Sequence, residues 1–170
     1  MAITHGDATR NAMCDAVLAQ INDGGAGLLR IIDSTAPGWT DYESGNVAAD
    51  AVGDGTAASV VSGSSSGATP IAELQFSATA FTLANAPNPE DANVAGRIGV
   101  AHANTVTEDD DCTAGNADRF EIVSGAGNMV MRGTITVQSA ATPGDILLTS
   151  VGIADQDTIA IRNLSYTCAP

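Results

Sequence analysis

The start of the fold is set by residues 7–32, which read DATRNAMCDAVLAQINDGGAGLLRII. The aspartate that opens this stretch can accept hydrogen bonds from free backbone N–H groups, so it predicts the beginning of a helix. We expect the helix to span residues 7–23 and to stop at Gly24 and Gly25, because glycine adopts the left-handed conformation without a Cβ penalty. Residues 27–32, which follow, are branched and apolar, which is typical of a buried strand.

The predicted helix has one apolar face. Met13, Val17 and Ile21 recur four residues apart, as side chains on a single face of a helix do. Cys14 and Leu18 widen that face, and Cys14 is expected to be a small core residue. The helix is therefore predicted to pack against the rest of the domain.

The remainder of the chain has the pattern of a β protein. Ala72, Leu74 and Phe76 alternate with polar residues, which is the period of a half-buried strand. Residues 124–127 read SGAG between two strand-like segments and predict a hairpin connection. The sequence thus predicts a mainly β fold, an antiparallel β-sandwich or jelly-roll-like domain with one short N-terminal helix. Strands are expected at 27–32, 71–77 with a continuation at 80–84, 98–102, 119–123, 128–137, 146–150, 157–161 and 164–168.

The length and the charge of the chain indicate a single domain that does not bind nucleic acid. The chain has 170 residues, enough to bury a core, and residues 1–170 are interpreted as a single domain. The formal net charge is −14, and all six basic side chains are arginines. Such a surface repels phosphate backbones, so no direct binding to nucleic acid is expected, although an acidic proteome of a salt-adapted host would explain the same charge. Neither a membrane-spanning apolar run nor a signal-peptide pattern occurs, so a soluble protein without a membrane partner is expected.

The opening of the chain carries a resemblance to a known group of proteins. Residues 1–12 read MAITHGDATRNA and resemble the opening of small tailed-phage virion proteins that share the pattern MAITH-x-x-ATRNA. Those proteins continue with a helix, an AG-x-L-x-I strand and a β-rich remainder. The resemblance is close over residues 1–32 and looser over residues 73–77 and 157–169. Residues 34–70 form a long insertion that shorter relatives lack.

This resemblance implies a bacteriophage head decoration (cement) protein rather than an enzyme, since the shared pattern holds no catalytic residue. A protein of that kind binds across junctions between major capsid subunits and stabilises the shell against packaged DNA. The resemblance therefore implies a virion protein on the capsid exterior, made in the host cytoplasm. It further implies the major capsid protein as partner and a homotrimer as the protein's own assembly.

Two segments are candidates for the interface with neighbouring subunits. Residues 1–6 precede the predicted helix and are largely apolar, so they are expected to form an N-terminal arm that lies across a capsid neighbour. The interface residues expected in this arm are Met1, Ala2, Ile3, Thr4 and His5. Trp39 and Tyr42 belong to residues 34–70, which are interpreted as an extended surface insertion. These two rings either pack the insertion against the domain or bind a neighbouring subunit. The second role is suggested because Trp and Tyr are enriched at protein interfaces.

The strongest polar cluster is the acidic run Glu108, Asp109, Asp110 and Asp111. Adjacent carboxylates repel one another unless they are solvated, screened or bridged by a cation. Calcium accepts about six to eight oxygen ligands, so the acidic run is a candidate calcium site, and apart from this calcium no cofactor is expected. Since the alternating spacing of an EF-hand loop is absent, a solvated surface loop is the other interpretation.

No catalytic residues are predicted. The sequence contains no Gly-x-Ser-x-Gly elbow, no phosphate-binding loop and no dinucleotide fingerprint. His5 and His102 have no sequence neighbour that would orient either as a catalytic base. Cys14, Cys112 and Cys168 lack metal-site spacing and are expected to be free thiols. A bridge between Cys112 and Cys168 in an assembled particle is the alternative.

Two other classes of function stay open at this point. A different virion part, such as a head fibre, a connector or a tail component, fits an acidic β-rich domain nearly as well. A carbohydrate- or cation-binding β-sandwich would use Trp39, Tyr42 and the acidic run. Glycan sites usually present several aromatic platforms, however, and aromatic residues make up 4% of this chain.

Overall fold

The structure, a computed structural model, describes residues 7–37, 68–83, 100–141 and 145–167. Its elements are α1 (Asp7–Ile21), β1 (Leu28–Ile32), β2 (Ala72–Gln75), β3 (Phe81–Leu83), β4 (Val100–Ala103), β5 (Gly115–Asn116), β6 (Arg119–Val123), β7 (Met129–Val137), β8 (Ile146–Leu148), β9 (Gly152–Ile153) and β10 (Ser165–Thr167). The prediction of a mainly β fold with one short N-terminal helix is confirmed, whereas the sandwich or jelly-roll arrangement stays a prediction. Within these ranges, no helix has the length and apolar character needed to cross a membrane.

Helix α1 begins at Asp7, as predicted, and ends at Ile21 rather than at residue 23. Gly24 and Gly25 follow with φ angles of 76° and 128°. Both values lie in the region that glycine reaches without a steric penalty, so the glycine signal for the end of the helix is confirmed.

The buried face of α1 is displaced from the predicted one. Cys14, Leu18 and Ile21 are buried, whereas Met13 is 42% exposed and Val17 is half-buried. Because each helical residue turns by about 100°, Met13 lies about 140° from Leu18 around the helix and therefore outside the buried face. The prediction of an apolar face is correct, but Met13 does not belong to its buried part.

The largest sheet has five strands in the order β2-β1-β6-β7-β8. Its first three pairings, β2 with β1, β1 with β6 and β6 with β7, are antiparallel. The hairpin predicted at residues 124–127 joins β6 to β7 and is confirmed. Its Gly127 N–H donates to the Ser124 carbonyl at 2.8 Å, and the Ser124 N–H donates to the Asn128 carbonyl at 2.7 Å.

The last strand of this sheet departs from the antiparallel expectation. β8 pairs with β7 in parallel, with Ile146 opposite Ile135. The carboxylate of Asp145 accepts hydrogen bonds from the N–H and the hydroxyl of Thr134, at 2.9 and 3.0 Å. The prediction of wholly antiparallel pairing is wrong at this edge, because a side-chain contact to the middle of β7, and not a hairpin turn, places the start of β8.

The remaining strands form a three-stranded sheet, β10-β4-β3, and a two-stranded sheet, β5-β9. Both larger sheets and α1 contribute side chains to one hydrophobic core, including Leu18 from the helix, Leu29 from β1 and Phe81 from β3. The strand predicted at 157–161 is wrong, since Ile159 makes an isolated bridge with Asp109. The short strands β5 and β9 were not predicted.

Candidate functional site

The predicted interface residues lie outside the part of the chain that the structure describes. They are Met1, Ala2, Ile3, Thr4 and His5 of the proposed arm, together with Trp39 and Tyr42 of the insertion. Their contacts with neighbouring subunits stay a prediction.

The acidic run lies along one edge of the five-stranded sheet, beside β2. One carboxylate oxygen of Asp109 accepts the Glu73 N–H of β2 at 2.7 Å. The Thr107 N–H donates to the Gln75 carbonyl of the same strand at 2.8 Å. We call residues 106–113 the acidic cover, because they occupy the free edge of β2. Charged side chains on an edge are one means by which proteins prevent strand-to-strand association.

The carboxylates of the acidic run are not arranged around one ion. Asp109 is turned to the backbone, since its second oxygen accepts the Asp111 N–H at 3.1 Å. Glu108, Asp110 and Asp111 are exposed. In the described ranges, no group of three or more His, Cys, Asp or Glu side chains could hold a metal ion. The calcium hypothesis therefore has no support from this geometry, whereas a solvated loop fits the three exposed carboxylates.

We expect Asp109→Ala to lower the free energy of unfolding by about 1 kcal/mol, because the Glu73 N–H would lose its partner. The variant should also self-associate more readily through β2, since an uncovered edge is a template for another strand. Urea denaturation measures the first effect and sedimentation velocity the second. Asp110→Ala is the matched control, because it removes the same charge from an exposed neighbour. Equal behaviour of the two variants would contradict an edge-covering role for Asp109.

Asp33 and Asp118 form hydrogen bonds with the first residues of the insertion and connect them to the strands. Asp33 accepts hydrogen bonds from the Thr35 hydroxyl at 2.6 Å and from the Asn116 N–H at 3.0 Å. Asp118 accepts the Ser34 N–H at 2.8 Å. The hydroxyl of Thr35, followed by the backbone N–H groups of Asn116 and Thr35, lowers the pKa of Asp33. This carboxylate is therefore ionised and engaged in holding the chain, rather than available for proton transfer at neutral pH.

The face of the five-stranded sheet opposite the hydrophobic core carries alternating charges. Glu73 of β2, Arg30 of β1, Glu121 of β6 and Arg132 of β7 are cross-strand neighbours in that order. We call these four residues the charge row. Arg30 donates to Glu73 at 2.7 Å, and Arg132 donates to Glu121 at 3.1 Å. Because opposite charges face each other across each pairing, the row favours this register over its neighbours.

The other edge of the sheet, at β8, is open among the described residues. β8 is the terminal strand of the sheet, and its central residue, Leu147, is 45% exposed. A groove of about 750 Å³ runs between β8 and residues 158–165. Asp145 and Arg162 line it as charged residues. Its larger apolar residues are Ile146, Leu147, Leu148, Ile161 and Leu164. Among the described residues, the sheet therefore has one covered edge and one open edge.

The cysteines described are core residues. Cys14 and Cys112 are buried and form no disulfide among the described residues, and Cys168 lies outside those residues. Burial, followed by the negative charge of Asp109, raises the pKa of Cys112. A thiol with a raised pKa stays protonated and is a poor nucleophile.

Sequence reasoning missed both the charge row and the open edge. The charge row had a signal, because Arg30, Glu121 and Arg132 each interrupt an otherwise apolar strand segment. Opposite charges at such positions can indicate cross-strand partners. The open edge had no comparable signal, since the number of neighbours of β8 depends on chain segments far away in sequence.

Comparisons with protein families, with curated proteins and with solved structures find no match for this chain. The chain's own residues and the resemblance of its opening are therefore what bear on its function.

Proposed function

We propose that the protein is a bacteriophage capsid decoration (cement) protein, which binds the head shell at junctions between major capsid subunits and stabilises it. The observation that carries the proposal is the opening of the chain. Residues 1–12 resemble the MAITH-x-x-ATRNA opening of small tailed-phage virion proteins. As in that group, a helix, a strand and a β-rich remainder follow.

The second shared pattern, AG-x-L-x-I, has a physical explanation in this fold. It falls on residues 26–31, at the end of the helix connection and in β1. A Cβ atom at Gly27 would lie 2.7 Å from the carbonyl oxygens of Ile21 and Val123, so no side chain fits there. Leu29 and Ile31 are both fully buried in the core. Three positions that the pattern specifies are thus ones that this packing requires, which supports a shared fold with the phage proteins.

The charge of the chain favours the outer surface of the shell. With a net charge of −14 and no lysine, the protein would be repelled by packaged DNA on the inner surface. On the exterior the same charge is solvated and keeps the protein soluble at high local concentration. The proposed partner is the major capsid protein, and a homotrimer is the assembly that the resemblance implies.

We expect the protein to be present in purified particles at a stoichiometry comparable with that of the major capsid protein. A decoration protein occupies every equivalent position of a symmetric shell, so its copy number follows that of the shell subunit. Quantitative gel densitometry of purified particles gives this ratio directly. A copy number equal to a single ring of subunits would instead indicate a connector or tail component.

A further inference from the structure

The five-stranded sheet protects one edge and leaves the other accessible. At β2, Asp109 accepts the Glu73 N–H, and the acidic cover adds exposed carboxylates along that edge. At β8, the described residues provide no further strand, and a groove runs along the free side. Since exposed edges promote unwanted pairing and are usually blocked, an edge left open beside a groove is a candidate for strand addition by a partner.

The backbone of β8 presents hydrogen-bonding groups to this groove. The Leu148 carbonyl accepts the Gln138 N–H at 3.0 Å, so Leu148 turns its backbone toward β7. In a parallel ladder alternate residues bond to the same neighbour, so Leu147 turns its own N–H and carbonyl away from β7. Its side chain is also 45% exposed. Leu147 therefore offers a donor, an acceptor and an apolar side chain to an incoming strand.

The groove also has a cationic group available for a partner. Among arginines with described side chains, Arg30, Arg119 and Arg132 each pair with a carboxylate. Arg162 pairs with no carboxylate of the described residues and lines the groove. The other charged residue of the groove, Asp145, is already held by Thr134. A guanidinium that pairs with no carboxylate of the described residues is complementary to an acidic side chain of a partner.

We infer that the β8 edge and its groove bind an extended segment of the major capsid subunit, which adds to the sheet as a further strand and places a carboxylate against Arg162. This inference rests on the proposed function and identifies the surface that performs it. A second copy of the chain is a poorer occupant of this groove, because its net charge of −14 meets the same charge here, and the homotrimer of the proposed function would then form through another surface. A shell subunit segment with a single carboxylate brings far less like charge to the groove.

The test measures binding of the purified full-length protein to shells assembled from the major capsid protein alone. Leu147→Pro removes the N–H that faces the groove, and proline is tolerated on an edge strand where its N–H side faces outward. Arg162→Glu reverses the charge, and Arg162→Lys retains it. Leu147→Glu and Met13→Glu form a matched pair, since both add one charge at large apolar residues with 45% and 42% exposure.

We expect Leu147→Pro, Leu147→Glu and Arg162→Glu each to raise the Kd for shells about tenfold or more. Arg162→Lys should bind with an intermediate Kd, and Met13→Glu should bind like the unmodified protein. If the unmodified protein binds but all variants bind equally well, the β8 inference is wrong and the proposed function stands. If the unmodified protein does not bind, both are overturned.

Two controls keep the result interpretable. Thermal melts identify any variant that fails to fold. If Leu147→Pro does not fold, Arg162→Glu still tests binding at the groove, because its side chain is exposed and lies outside the strands. Sedimentation equilibrium of the free protein tests the second-copy alternative. A change of oligomeric state in Leu147→Pro or Arg162→Glu would make the groove a self-interface and would overturn its assignment to the capsid subunit.

Discussion

Glu121→Gln is expected to lower the free energy of unfolding by about 3 kcal/mol, because breaking a buried ion pair by removing one partner is strongly destabilising. The Glu121 side chain is fully buried, and its carboxylate accepts a hydrogen bond from Arg132 at 3.1 Å. Arg132 is itself only 21% exposed, so water can replace the lost carboxylate only in part. Urea denaturation of both proteins at the same pH and salt concentration measures the loss.

Glu73→Gln provides the matched control within the same charge row. It removes the same charge and also interrupts a pair with an arginine, Arg30, at the shorter distance of 2.7 Å. Glu73 is 41% exposed, however, so solvent screens the interaction, and a loss of about 1 kcal/mol or less is expected. Equal losses in the two variants would show that burial does not set the strength of these pairs.

A double replacement separates the charge of the buried pair from its packing. Glu121→Leu combined with Arg132→Met replaces both charges by apolar side chains of similar size, so no uncompensated charge is left. Such replacements of buried pairs are often neutral or stabilising, and we expect the double variant to be more stable than Glu121→Gln. If it were less stable, the pair would contribute more to stability than apolar packing does at this position.

The sequence correctly predicted the elements whose conformation is set by residues close together in the chain. The helix beginning at Asp7, its end before Gly24 and the hairpin at 124–127 each depend on residues within a few positions of one another. Strand alternation at 72–76 likewise placed Leu74 in the core. These features were correct because capping, left-handed glycine and side-chain alternation act over a few residues.

Features that depend on distant partners could not be predicted in the same way. The parallel direction of β8 is seen only in its pairing with β7, where Asp145 accepts the Thr134 N–H. The burial of Glu121 follows from its register with Arg30 and Arg132 on other strands. For the candidate site, the sequence predicted strand residues at β8, but not that its outer edge is open. The acidic run was interpreted as a solvated loop or a calcium site, and its contact with the β2 edge appears only when the strands are paired.

A close crossing of two glycine loops also depends on distant residues. The hairpin loop 124–127 packs against residues 22–27, which link α1 to β1. The Gly125 N–H donates to the Ile21 carbonyl at 3.3 Å, and the Ala126 N–H donates to the Asp23 carbonyl at 2.8 Å. These bonds satisfy carbonyl groups at the end of the helix, which have no partner within it. The crossing thus connects the helix, β1 and the β6–β7 hairpin at one point.

Gly125→Ala is expected to lower the free energy of unfolding by about 3 kcal/mol, because a methyl group forces the two loops apart and weakens their hydrogen bonds. A Cβ atom at Gly125 would lie 2.5 Å from the backbone N and carbonyl C of Gly25, and backbone atoms cannot turn aside as a side chain can. Gly152→Ala is the matched control, since a Cβ atom there meets nothing within 4 Å. Thermal and urea unfolding should show a large loss for Gly125→Ala and almost none for Gly152→Ala. If Gly125→Ala unfolds like the unmodified protein, the loops do not cross as closely as described, and the hairpin does not hold the end of the helix.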